Sequence, residues 1–263
     1  MKRQILIIDD HDDLCSALKK EFEVLGHQVK TVETRAEAVA IDELDDFDLI
    51  ITDLDNTAIA SEVAEHNSDT TCLPELNGKS SEEETVKAFK ICATNFHREI
   101  FIEEDLRQLV ETVLNFKARF IDKTAAVQNI HEKIEFEIPS AISLMHGILD
   151  YLMRRIEKVG LVNPESSNLF IALDEAFVNA VKHGNKYDSH KIVRITADVS
   201  TKEARFTVED EGEGFDISAI PDPLDPENLF KTSGRGVLII HNVMDEVKYN
   251  ERGNRVEMVK KKR

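Results

Sequence analysis

Three side chains in DEAFVNAVKHGN fall on one helical face: Glu175, Asn179 and then Lys182 or His183, at i, i+4 and i+7 or i+8. A carboxylate, an amide and a basic group in that arrangement suit a metal–phosphate site. Asparagine offers a neutral oxygen to a divalent cation, and glutamate can serve as a general base. Alone, the same spacing describes any polar outer helix face. Two glycine loops downstream change that balance. SGRGVLII (233–240) sets Gly234 and Gly236 around Arg235, immediately before a helix. Backbone N–H groups and a helix N-terminus favour anions there, and Arg235 adds a charge-assisted donor. VEDEGEGFD (208–216) spaces Gly212 and Gly214 for close backbone approach, yet Glu209, Asp210, Glu211 and Glu213 make it a poor phosphate cradle. The series E-x-x-x-N, D-x-G-x-G, then G-x-G opening a helix is weak piece by piece and strong as an ordered set.

A second constellation lies near the N-terminus. Asp9 and Asp10 end an apolar run, and Asp53 ends another. In a parallel sheet, strand carboxyl ends line the ligand crevice. Carboxylates converging there repel one another unless a cation such as Mg²⁺ sits between them, and a carboxylate beside Mg²⁺ can attack a phosphoryl group. The competing reading is a set of solvated strand ends.

The elements that must position these groups differ between the halves. In the first, QILII (4–8), HQVKTV and DLIIT (48–52) read as strands. They alternate with helices at DLCSALKKEFEVL (13–25), stopped by Gly26, and at AEAVAIDEL. SEEETVKAFK reads as helical, and EEDLRQLVETVLNFKARF (103–120) as a long amphipathic helix with Leu106, Leu109, Val110 and Val113 on one stripe. The alternation predicts a doubly wound α/β domain with a parallel sheet over residues 1–120, followed by a linker at 121–132 that contains His131. Residues 133–263 predict an α+β two-layer sandwich. IEFEI is its first strand, helices follow at about 140–158 and 164–183 with Pro164 in the first turn, and KIVRITADV and ARFTVED are alternating strands. A helix GVLIIHNVMDEV and a strand RVEMV close the domain.

Composition excludes several classes. A net charge of −18 opposes direct nucleic-acid binding, which needs a basic face. No apolar run is long enough to span a membrane, and MKRQILIIDDHDD turns acidic where a signal peptide would be apolar. The expectation is a cytoplasmic protein without membrane contact. Cys15, Cys72 and Cys92 lack metal-ligand spacing and read as free thiols.

ILIIDDHDDL…DLIITDLD resembles the receiver domain of two-component response regulators over residues 1–120. The resemblance implies Mg²⁺ held by Asp9, Asp10, Asp53 and the carbonyl of Asp55, with Asp53 as phospho-acceptor and an upstream histidine kinase as donor. The chain departs from that pattern. LDNTAIAS follows Asp53 in place of a Met-Pro loop, and LPELNG (73–78) lies too far downstream. Asn77 stands near the usual Ser/Thr, and Glu99, with Arg98 beside it, stands where receivers carry a lysine.

EAFVNAVKHGN, VEDEGEGFD, SGRGVLIIHNVMDEVKYN and GNRVEMVK resemble the histidine kinase-like ATPase superfamily, the Bergerat fold. The closer likeness is to its branch of anti-sigma-factor serine kinases, over about residues 134–260. The resemblance implies ATP and Mg²⁺, with Asn179 as the metal ligand and Glu175 as base toward a serine hydroxyl. Asp210 would accept the adenine amino group, with Gly212 and Gly214 closing on the base. Gly234, Arg235 and Gly236 would hold the phosphates, and Lys182 and His183 would support the site. Residues 217–233 would form a lid whose Lys231, Thr232 and Ser233 reach the phosphate end. The implied partners are an anti-sigma-factor antagonist and a sigma factor, and the implied assembly a homodimer. Met145 or His146 occupies the place of an arginine common in the branch, the nearest arginines being Arg154 and Arg155. Two readings therefore stand: a protein serine/threonine kinase regulated by the receiver-like domain, or an ATP-binding partner-switching module without catalysis and with a degenerate receiver.

Overall fold

The computed structural model describes residues 2–10, 14–55, 85–93, 102–123, 130–162, 168–215 and 235–262. The chain divides into two compact units, Met1–Ile138 and Pro139–Arg263.

In the first unit β1 (Gln4–Asp9) pairs in parallel with β2 (Gln28–Val32) and with β3 (Leu49–Asp55). Ile5 through Asp9 are all buried, which is why this strand reads as a continuous apolar run and not as an alternation. Leu6, Ile8, Ile50 and Leu54 pack with Ala38, Leu44 and Phe47 in one cluster. The two-residue period turns Ile5, Ile7 and Ile51 to the opposite face. Between the strands run α1 (Cys15–Val24) and the short α2 (Arg35–Val39). Gly26 takes φ +88° just past α1, the left-handed position that favours glycine at a helix end.

Several expectations change here. The described part of SEEETVKAFK is strand β4 (Thr85–Cys92), not helix, and it runs antiparallel to β3. The sheet is therefore mixed, not parallel. Lys90 explains the misreading: it is buried and pairs with Glu135 at 3.3 Å and Glu137 at 2.9 Å. Those partners lie on the neighbouring strand, beyond the reach of a local pattern. That neighbour is β5 (Ile130–Pro139), which contains IEFEI and pairs in parallel with β4; residues up to Ile138 group with the first unit. His131 is a strand residue opposite Val86, and α3 (Glu103–Lys123) extends into the stretch expected as linker. The α3 stripe of Leu106, Leu109, Val110 and Val113 is buried. Cys15 is a buried free thiol, whereas Cys92 is disulfide-bonded.

The second unit holds an antiparallel sheet in the order β6 (Ile192–Val199), β7 (Glu203–Asp210), β9 (Arg255–Lys261), β8 (Glu246–Tyr249). Strict alternation buries one face: Val193, Ile195 and Ala197 on β6, and Ala204, Phe206 and Val208 on β7. Against it lie α4 (Met145–Lys158), α5 (Leu169–Val178) and α6 (Arg235–Val243), with α5 packed on α4 and α6. This is the α+β layering that the alternation predicts. The helix expected over GVLIIHNVMDEV ends at Val243, because Glu246–Tyr249 pairs with β9 as an edge strand. Among the described residues no helix is long and apolar enough to cross a membrane.

Candidate nucleotide site and the acidic pair of the first unit

The second unit's site is organised by α5 and the turn at its C-terminal end. After Val178, α5 widens into a π turn, Asn179–Gly184, closed by the Asn185 N–H on the Ala180 carbonyl at 2.8 Å. Such single π turns are frequent at functional sites. Glu175, one turn earlier, and Asn179, which opens the π turn, face the start of α6. A Cβ on Gly236 would stand 2.5 Å from Glu175 Oε2 and 3.5 Å from Asn179 Nδ2. The first turn of α6 thus closes directly onto the carboxylate and the amide, and a side chain at Gly236 would push the Glu175 carboxylate aside. Lys182 and His183 lie within this turn and are exposed. The α-helical spacing that grouped them with Asn179 does not hold across residues 179–184.

At the far end of the turn, Gly184 lies against Asp210. A Cβ there would overlap the carboxyl carbon and both oxygens of Asp210, and a Cβ on Gly212 would overlap the Gly184 carbonyl. Asp210 ends β7 on the apolar face, in line with Ala204, Phe206 and Val208, and is 8% exposed. Its Oδ1 accepts the Gly212 N–H at 2.8 Å. Burial raises the Asp210 pKa above the ordinary carboxylate value, opposed by the Gly212 hydrogen bond and by the field of Arg252. A buried carboxylate facing two glycines is a cradle for a flat group that offers a donor.

The surplus carboxylates of this loop divide. Glu213 is exposed. Glu211, also exposed, accepts the Ile192 N–H at 3.0 Å and pairs with Arg194 at 3.5 Å, so it braces the loop against β6. Gly214 takes φ +78°, and a Cβ on it would overlap the Arg252 carbonyl. Arg252 was missed at the sequence level; it donates to the Gly212 carbonyl at 2.7 Å from the turn between β8 and β9. Arg235 opens α6, while Gly234 and the expected lid with Lys231, Thr232 and Ser233 lie outside the described residues. Of the two placements for the branch's arginine, Met145 is buried and His146 is exposed beside Asp150; Arg155 is buried within α4.

Residues 138–260 match the histidine kinase-like ATPase domain. The similarity extends to the serine-protein kinase RsbW of Staphylococcus epidermidis, 28% identical over 142 residues, covering 51% of this chain and 89% of the relative. RsbW of Staphylococcus aureus (strain JH9) is 27% identical over the same length and shares. The residues of this ATPase-like region fit ATP and Mg²⁺. The Gly236 cradle beside Asn179 and Glu175 is chemically suited to a metal-bound phosphate, and the Asp210 cradle to a base with an exocyclic amino group.

In the first unit, Asp9 ends β1 and is the register partner of Asp53, two residues before the end of β3. Asp9 Oδ2 accepts from the Leu14 and Cys15 N–H groups at 3.0 and 2.8 Å, and so caps α1. Both oxygens of Asp53 accept from Lys117, which descends from α3 and also lies 5.4 Å over the Phe89 ring. Lys117 and Asp53 are both buried. The Lys117 ammonium is thus a charge partner of Asp53. Among the described residues no group of three or more His, Cys, Asp or Glu could hold a metal. Asp10 follows β1, and Asp55 is the last residue of β3. Asn77, Arg98, Glu99 and LPELNG lie outside the described residues. Lys117 was legible as an anomaly: it continues the buried stripe of Val110, Val113 and Leu114, and a charged residue at a core position implies a buried partner.

Proposed function

We propose that the second unit is an Mg·ATP-dependent serine kinase acting on a protein, of the anti-sigma-factor type. The observation that carries the reading is the placement of the glycines. Gly236 opens onto Glu175 and Asn179, Gly184 and Gly212 open onto Asp210, and the π turn of a single helix joins the two cradles. The base end would be read by Asp210, whose Oδ1 is occupied by Gly212 and whose Oδ2 is open among the described residues to an amino group. Bound Mg²⁺ supplies positive charge to the phosphates, and Asn179 is the residue to hold it. Glu175 would take the proton from the substrate serine hydroxyl as that oxygen attacks the γ-phosphoryl group, with Arg235 and the first turn of α6 orienting the phosphates. The likeness to serine-protein kinases supports a protein substrate; we take it to be an anti-sigma-factor antagonist, with a sigma factor as second partner.

The test is transfer from γ-labelled ATP to the cognate antagonist with Mg²⁺, comparing wild type with Glu175→Gln. Labelled serine that disappears in Glu175→Gln supports the kinase. Nucleotide binding and partner capture without transfer supports the second reading, a non-catalytic partner-switching module; the absence of an arginine at Met145 and His146 favours that alternative.

For the first unit we propose a regulatory role centred on the buried pair of Asp53 and Lys117. If Asp53 is a phospho-acceptor, Lys117 is the cation placed to hold the added charge, in the absence of the lysine that Glu99 displaces. Acetyl phosphate treatment followed by phosphate-affinity electrophoresis, with Asp53→Asn as control, decides the matter. No Asp53-dependent band would leave this unit as a docking module.

A further inference from the structure

The peptide group joining Asp210 to Glu211 is gripped at both ends by buried asparagines from distant parts of the chain. Its carbonyl accepts from Asn254 Nδ2 at 2.6 Å, and its N–H donates to Asn185 Oδ1 at 2.8 Å. Asn254 is 6% exposed and Asn185 is fully buried. Each amide is itself held in one orientation. Asn185 Nδ2 donates to Ser140 Oγ at 2.7 Å and to the Ile192 carbonyl at 2.9 Å, so its oxygen must face Glu211. Asn254 Oδ1 accepts from Asn250 Nδ2 at 2.9 Å, which turns its amide nitrogen toward Asp210. The Asp210 N–H also donates to the Asn254 carbonyl at 3.0 Å.

We propose that Asn185 and Asn254 are the positioning residues of the adenine pocket, a clamp on one peptide plane that sets where the Asp210 carboxylate points and so gives the site its preference for adenine over guanine. The inference rests on the nucleotide reading above. The physical case has three parts. A clamped peptide plane fixes the backbone torsion that carries Asp210, and Gly212 then fixes one carboxylate oxygen. The remaining oxygen is a pure acceptor, which matches the amino group of adenine and repels the carbonyl oxygen that guanine presents at the same ring position. Finally, two buried amides whose groups on this side are all bonded are costly to retain unless their orientation matters, because any lost partner leaves a desolvated polar atom. Neither asparagine needs to touch the nucleotide; both act through Asp210.

The experiment uses the full chain and measures ATP and GTP affinity by calorimetry for wild type, Asn185→Ala, Asn254→Ala, Asp210→Asn and the two doubles with Asp210→Asn. Each alanine variant is expected to shrink the ATP-over-GTP preference about tenfold, through weaker ATP binding. In the Asp210→Asn background neither should reduce it further, because the carboxylate they position is gone. Equal losses for ATP and GTP, or the same added loss in the Asp210→Asn background, would overturn the inference and leave a structural role only. A wild-type preference retained in a folded Asn185→Ala protein would overturn it while leaving the nucleotide reading intact. Wild type without any preference for ATP would sink both. Should Asn185→Ala not fold, Ser140→Ala carries the same test: it removes one acceptor that orients Asn185, and unchanged discrimination in that soluble variant counts against the clamp.

Discussion

Gly184→Ala adds one methyl group at the point where the π turn meets Asp210. The backbone tolerates it, since Gly184 does not have a positive φ and alanine is the better helix former by about 1 kcal/mol. The space does not. The new carbon would meet the Asp210 carboxyl carbon and both oxygens well inside the 3.0 Å that real contacts respect. The carboxyl carbon is only one bond beyond Cβ, and the Asp210 backbone is held by β9 and by Asn254, so the carboxylate must turn away as a whole. Overpacking of this kind costs about 1–3 kcal/mol, partly offset by the helical gain, so the protein should stay folded. A hydrogen bond to a charged acceptor is worth about 1.5–3 kcal/mol, so its loss weakens ATP binding roughly ten- to hundredfold. Calorimetry with ATP and thermal denaturation of the same sample separate the two effects. Gly160→Ala is the control: nothing lies near its Cβ, but φ is +66°, so it should lose stability by about 1–2 kcal/mol and leave ATP affinity unchanged. Wild-type ATP affinity in Gly184→Ala would refute the placement of the base against Asp210.

The same geometry sets further outcomes. Glu175→Gln should lower phosphoryl transfer about 10²–10⁴-fold with little change in ATP affinity; Gly236→Ala, whose methyl displaces the Glu175 carboxylate, should lower transfer in the same direction, and single-turnover assays check both. Burial raises the Asp210 pKa, so ATP affinity should begin to fall on acidification above the ordinary value of 3.8, and Asp210→Asn should flatten that limb. Arg252→Ala removes a field that favours the carboxylate, so the acid limb of the ATP-binding profile should move to higher pH. The linked stability effect has the opposite sense. A raised folded-state pKa means Asp210 contributes stability below its unfolded pKa that is lost as pH climbs through the folded one, and urea titrations of wild type and Asp210→Asn across that range would report it. In the first unit, Lys117→Met leaves Asp53 buried without its cation and should cost about 3–5 kcal/mol, largely recovered by adding Asp53→Leu; denaturation that is indifferent to Lys117 would contradict the buried pair.

Much of the second unit was legible because its information is local. The two-residue alternation in ARFTVED marks a half-buried strand and, by parity alone, sets Asp210 on the face of Phe206 and Val208. The glycines of D-x-G-x-G and G-x-G announced close approach without saying to what. Gly26, the α1 spacing and the α3 stripe were equally plain from propensity and period. The features that stayed hidden depend on partners remote in sequence. The π turn replaces the α-helical i, i+4, i+7 register beyond Asn179 with a wider one that no local pattern announces. β4 reads as a helix until the carboxylates of β5 are placed beside Lys90. Lys117 reaches Asp53 across 64 residues, and the two asparagines reach the Asp210–Glu211 peptide across 44 and 26. The chain by itself determined which residues are chemically capable, because type, parity and period are written in neighbouring positions. Only the tertiary structure decided which of them meet, because a buried charge or amide is satisfied by whatever donor the fold brings to it, and that donor leaves no mark in the segment it serves.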